Sequence, residues 1–169
     1  MIKLLITALL ITSIYNLQYT DIDGNTKNFS ELQGRKILIV NIATGSDKTG
    51  QLAELQQLYQ QYHDSLEILG IPSNSFGSES ESNNDIKQFC RSTYGITFRL
   101  GAKGEVKGSN MLPVYNWLTH QAENGLMNTT VAGDFQKYLI DKNGQLIGVY
   151  KPEVSPLDST ITNAITGNW

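Results

Sequence analysis

The sequence predicts an α/β domain, and three observations carry that reading. Two apolar runs of strand length, Lys36 to Ala43 and Leu66 to Ile71, lack the alternation of a half-solvated strand and read as strands buried on both faces. Between them, Leu52, Leu55, Leu58, Tyr59 and Tyr62 line one stripe of an α-helix expected over Thr49 to Tyr62. Strand, helix and strand in direct succession favour a parallel crossover unit.

The remaining elements follow in chain order. Alternating apolar and polar residues from Ile14 to Ile22, with turn chemistry at Asp23-Gly24-Asn25, predict an amino-terminal β-hairpin. Beyond the second buried strand, the Ser/Glu/Asn-rich run from Ser73 to Asn84 reads as a solvated loop. Ser82 with Asp85 at the third position is a variant capping box, and the helix it opens turns Ile86, Phe89 and Cys90 inward. A short helix is expected from Pro113 to about His120. Phe135 to Ile140, the turn Asp141-Lys142-Asn143-Gly144, and Gln145 to Tyr150 read as an antiparallel pair. Ser155 ahead of Pro156, with Leu157, Ile161 and Ile165 at helical spacing, predicts a closing helix.

Composition narrows the function classes. A chain of 169 residues suits one domain, and 40% hydrophobic with 17% charged residues lies outside the disordered class. Thirteen Lys and Arg against 16 Asp and Glu, with no basic run, argue against a nucleic-acid partner, because phosphate neutralisation needs clustered positive charge. A lone cysteine, Cys90, cannot form an intramolecular disulfide, and His63 and His120 lie far apart without a nearby Cys, so no zinc spacing exists. No metal or other cofactor is expected. The first twelve residues, MIKLLITALLIT, have the charged start and apolar middle of a secretory signal. They lack a clean small-x-small cleavage site and are too short to span a bilayer. Residues 1–12 are therefore read as a possible signal peptide or amino-terminal extension, with an ordinary first strand or a frayed terminus as the alternative, and residues 13–169 as the domain. The protein is expected to be secreted or periplasmic if residues 1–12 act as a signal, and cytoplasmic otherwise.

Loops at the carboxyl ends of parallel strands are where α/β proteins place their chemistry, which directs attention to the segment after Ala43 and to Ser73–Asn84. In the first, Ser46 beside Asp47 could be a hydrolase nucleophile. His63, however, lies about 25 Å along the same helix; the sequence leaves His120 open as a base, but G-x-S-x-G is absent. Ser46 reads better as a helix cap or solvated loop residue. Glu79, Glu81, Asp85, Asp47 and Asp134 read as a charged, solvated rim, since no loop spacing supports a cation site. The triplets beginning at Asn28 and Asn128 match glycosylation acceptors that occur commonly by chance.

The segments SIYNLQYTDIDG, ILIVNIAT, ILGIPSNSFGSES, IKQFCRSTYGITF, NMLPVYNWL and FQKYLIDKNGQLIGVYKPEVSP, in that order and spacing from about Ser13 to Ile165, resemble the glutathione peroxidase family. The resemblance implies a thioredoxin-like three-layer α/β/α fold with a mixed central sheet and an amino-terminal hairpin. It also implies reduction of hydroperoxides by a reactive Cys or selenocysteine gathered with Gln, Trp and Asn. All four differ here. Where the family writes N-V-A-S-K-C-G, this chain has Asn41-Ile42-Ala43-Thr44-Gly45-Ser46-Asp47. F-P-C-N-Q-F-G becomes Ile71-Pro72-Ser73-Asn74-Ser75-Phe76-Gly77, and W-N-F-E-K-F becomes Gly133-Asp134-Phe135-Gln136-Lys137-Tyr138. The resemblance thus puts Ser46, Ser75, Gly133 and Asp134 on the reactive positions. Arg99 is a further departure, standing where the family usually has Pro.

Peroxide reduction needs a thiolate that attacks the O–O bond and becomes a sulfenic acid. A serine hydroxyl is not ionised at neutral pH without a partnered base and has no equivalent oxidised state. Loss of turnover is the expectation, and restoring one cysteine should fall short without its polar partners. Cys90 sits where some family members carry a resolving cysteine. Without a reactive partner it reads as a small buried hydrophobe, and the alternative is an active oxidoreductase with Cys90 as its redox thiol. Glutathione or thioredoxin would serve as reductant only if the protein is active. A small thiol or hydroperoxide is then the expected partner, and the short segment from Leu112 to Phe135 favours a monomer.

Overall fold

The computed structural model describes residues 12–167. Among them, a five-stranded sheet has the order β5-β4-β3-β6-β7, built from β3 (Lys36–Ile42), β4 (Leu66–Pro72), β5 (Arg99–Leu100), β6 (Lys137–Ile140) and β7 (Leu146–Tyr150). A separate hairpin pairs β1 (Gln18–Thr20) with β2 (Thr26–Asn28). The helices are α1 (Gln51–Tyr62), α2 (Asn83–Tyr94), α3 (Pro113–Thr119), α4 (Gln121–Asn124) and α5 (Ser159–Thr166). β3 pairs parallel with β4 and antiparallel with β6, so the sheet is mixed and the crossover through α1 is the expected one.

The unbroken apolar runs reflect burial on both faces. Leu38, Val40, Ile42 and Ile68 point to one side with residues of α1, α2 and α5, while Ile37, Ile39, Leu69 and Ile71 point to the other with residues of α3. Three layers result, an arrangement that covers both faces of a parallel pair. None of the helices among the described residues is long and apolar enough to cross a membrane. Residues 1–11, most of the proposed signal segment, lie outside the described residues. The carbonyl of Thr12 accepts a hydrogen bond from the Trp117 indole at 2.5 Å.

Several boundaries differ from expectation for local reasons. Ile14–Asn16 is a 3-10 turn capped by Ser13, so the hairpin strands are shorter than the alternation suggested. Phe135 and Gln136 are not in β6, because Phe135 adopts φ 66° and its N–H is taken by the Asn41 carbonyl at 2.6 Å. The closing helix begins at Ser159, with the Asp158 side chain accepting from Thr160 N–H. Ser155 instead accepts from Leu157 N–H and donates to Glu54 at 2.5 Å. Arg99 finds its role here. With Arg35, it holds the Glu67 carboxylate, buried in β4, by an Nε bond of 2.9 Å. A buried carboxylate must be paired, and two guanidinium groups supply that pairing.

Candidate functional site

β3 and β4 run in register to Ile42 and Pro72, so the segments that follow them leave the sheet side by side. Hydrogen bonds stitch them together. Gly45 N–H donates to the Ser78 carbonyl at 3.0 Å, and Thr44 donates to Glu79 through both its N–H, at 2.7 Å, and its hydroxyl, at 2.9 Å. Glu79 is wholly buried and also accepts from Glu81 N–H at 3.3 Å, which overturns its reading as part of a solvated rim. Asp134 likewise is buried, whereas Asp47, Glu81 and Asp85 are exposed as expected. The loop from Ser73 is correspondingly less solvated than its composition implied, with Ser73 buried as well.

Ser46 stands on the turn that precedes α1, whose amino-terminal cap is Gly50. It therefore does not cap the helix directly. Its half-buried hydroxyl accepts from Lys48 N–H at 3.3 Å and lies 3.5 Å from an Asp47 carboxylate oxygen. Successive i to i+3 bonds, Thr49 N–H to Ser46 O at 3.1 Å and Leu52 N–H to Thr49 O at 3.0 Å, lead this turn into α1.

The third wall is the segment entering β6. Asn41, buried at the end of β3, donates from Nδ2 to the Gly133 carbonyl at 2.9 Å and accepts Phe135 N–H on its own carbonyl. These two bonds fix Gly133 and Phe135 on either side of Asp134. Asp134 is 8% exposed, and its Oδ1 is buried with no hydrogen-bond partner. Burial raises its carboxyl above the usual range, while the Ser78 and Ser46 hydroxyls and the Lys48 ammonium oppose the shift and Asp47 adds to it. Those hydroxyls lie close enough to favour the charged form, yet neither completes a well-formed bond to the orphaned oxygen.

The structure thus brings Ser46, Gly133 and Asp134 to one corner, with Ser78 as a member that sequence reading missed. Ser78 lies in a run of Ser, Glu and Asn that offered no pattern to single it out. Ser75 is committed elsewhere: its hydroxyl donates to Glu105 at 2.7 Å and accepts from Val106 N–H at 3.0 Å. Cys90 is fully buried in α2, packed in the cluster that contains Ile86 and Ile96. Burial, and secondarily the nearby Glu79 charge, push its thiol up to about 11. His63 and His120 hydrogen-bond within their own helical neighbourhoods, to Gln60 and Asn116. The corner therefore offers hydroxyl and carboxyl oxygens, but no thiol and no imidazole hydrogen-bonded to Ser46.

Comparison with known proteins places this architecture. Residues 14–119 match the family model described as glutathione peroxidase. The glutathione peroxidase homolog BsaA of Bacillus subtilis is 36% identical over 146 residues, 85% of this chain and 91% of that protein. The glutathione peroxidase-like peroxiredoxin gpx1 of Schizosaccharomyces pombe is 41% identical over 145 residues, 82% of this chain and 91% of its own. Among solved structures, Trgpx in apo form superposes with a TM-score of 0.73 at 28% identity, covering 93% of this chain and 95% of that one. A thioredoxin-family thiol:disulfide interchange protein from Chlorobium tepidum shares the fold, with a TM-score of 0.62 at 18% identity over 93% of this chain and 94% of that one.

Proposed function

The chain belongs to the glutathione peroxidase family, and from that premise we propose that it is a member without thiol-peroxidase turnover, acting as a binding or structural module. One observation carries the reading: the chain's single thiol is Cys90, buried in α2 and pushed up to about 11, while the turn at the reactive position carries the Ser46 hydroxyl. A reactive cysteine needs its thiolate favoured and accessible, and Cys90 has neither property. Serine at position 46 cannot cycle through a sulfenic acid.

The other three substitutions point the same way. Ser75, at the Gln position, spends its hydroxyl on Glu105 and Val106. Gly133, at the Trp position, has no side chain to offer a donor. Asp134, at the Asn position, brings a carboxyl in place of an amide, so negative charge near Ser46 replaces a donor to it. The change at Gly45, where the family writes Lys, is also built into the packing, since a Cβ there would stand 2.8 Å from the Ser78 carbonyl oxygen.

The test supplies hydrogen peroxide or an organic hydroperoxide with glutathione or thioredoxin, comparing the native protein with Cys90→Ser and Ser46→Cys. Consumption at the blank rate is expected for the first two, and weak consumption at most for Ser46→Cys. Turnover by the native protein that disappears in Cys90→Ser would establish Cys90 as the redox thiol and overturn the proposal.

A further inference from the structure

We propose that Lys137 is a positioning residue that holds the turn after β7 against Gly133 and thereby shapes the corner beside Asp134. Lys137 is fully buried in β6 and pairs in register with Val40. Its ammonium leaves the sheet and donates to two carbonyls of that turn, Pro152 at 3.2 Å and Val154 at 2.5 Å. Gln51 of α1 donates to the same Pro152 oxygen at 2.8 Å, and the Ser155 hydroxyl donates to Glu54 of α1 at 2.5 Å. The turn is gripped from the sheet and from the helix at once.

What the grip positions is Pro152. A Cβ built on Gly133 would stand 3.3 Å from Pro152 Cγ, tighter than ordinary van der Waals contact, so the ring already occupies the space a side chain there would enter. The Gly133 carbonyl is anchored on its other side by Asn41 Nδ2, and Asp134 follows directly. Pro152, Gly133 and the Asp134 corner therefore form one stack whose far end is Lys137. A buried lysine is costly, and an apolar side chain would fill a strand position with less penalty. The two carbonyl bonds are what the ammonium supplies in return. This inference does not depend on whether the corner turns over a hydroperoxide.

Amide hydrogen exchange on the full chain provides the test, comparing native protein with Lys137→Met. The Val154 amide, bonded to the Lys151 carbonyl inside the turn at 3.1 Å, should lose at least tenfold in protection, while Leu38 and Ile39 in the central strand change far less. An equal fall at all three positions means a purely global effect and overturns the proposal. The second measurement introduces Gly133→Ala into both backgrounds. It should lower the folding equilibrium constant about fivefold in the native chain, and less than twofold with Lys137→Met, where the released proline can give way. The same loss in both backgrounds rejects the stack. Should Lys137→Met not fold, Gln51→Leu removes the other donor from the Pro152 oxygen and replaces it in both measurements, with the same outcomes expected and the same outcomes fatal.

Discussion

Glu79 accepts both donors of Thr44, the backbone N–H at 2.7 Å and the hydroxyl at 2.9 Å, with its carboxylate wholly out of solvent. This is the tie between the two segments that leave β3 and β4, and it sets where Ser46 and Ser78 stand relative to one another. Replacing Glu79 by Ala strands the Thr44 and Glu81 amides, and an unsatisfied buried group costs about 1–3 kcal/mol. Urea denaturation of Glu79→Ala should show a loss of about 2–4 kcal/mol, with Glu79→Gln intermediate because its amide keeps one acceptor. A loss below about 1 kcal/mol for the alanine variant would mean the tie contributes little.

Asp134 should weaken the native state when ionised. Burial raises its folded carboxyl above the unfolded value, so the folded protein binds the proton more tightly and stability falls as pH rises through the carboxylate range. Asp134→Asn is therefore expected to melt higher than the native protein at pH 7. The advantage should shrink as the pH falls through the raised folded value toward the ordinary carboxylate range, because the native Asp134 takes up its proton before the unfolded chain does. Melting curves at pH 7 and pH 4 decide it, and a lower melting temperature for the variant at pH 7 contradicts the expectation.

Lys137 has the opposite sign. Burial, with Lys48 adding a little, pulls its ammonium down to about 8 against the pull of Glu54 and Glu153, whereas an unfolded lysine titrates near ~10.4. Between those values the unfolded chain binds more protons, so stability rises with pH. Relative to Lys137→Met, which does not titrate, the native protein should gain stability between pH 8 and pH 10. Tyr115 and Tyr138, both raised by burial, pull the other way above ~10 but are present in both proteins. Paired denaturation curves at pH 7 and pH 9.5 measure the gap, and a constant gap would show that Lys137 keeps its proton throughout.

Cys90 should resist modification in the folded state. With the thiol pushed up to about 11 and no exposed surface, very little thiolate is available at pH 8. Iodoacetamide is expected to leave the native protein unlabelled over hours and to label it fully within minutes in denaturant. Prompt labelling of native protein would show that the α2 core opens readily, and would reopen Cys90 as a redox thiol.

Much of the architecture was legible from local pattern. β3, β4 and α1 came from two apolar runs and one helical stripe, and Ser82 does accept the Asp85 N–H as the capping pattern required. Departures arose where a distant partner overrode the local signal. Phe135 and Gln136 carry strand-like residues, yet the bond from Phe135 N–H to Asn41 turns the chain before β6 begins. Glu79 sits in a run whose composition resembles a solvated loop, and only its bonds to Thr44, 35 positions away, explain why it is buried. Lys137 did leave a trace, as the one charge in the run from Phe135 to Ile140.

The amino-acid sequence alone determined the α/β class and its central parallel crossover, because hydrophobic periodicity and capping are short-range properties that the chain carries in its order. It also determined the absence of any thiol at position 46, since that is a matter of which atoms are present. Tertiary structure decided which polar groups meet: Asp134 with Ser46 and Ser78, Arg99 with Glu67, and Lys137 with the turn that presses on Gly133. Such contacts form between side chains brought together by the sheet, and their energies depend on burial and distance, quantities that exist only once the chain has folded.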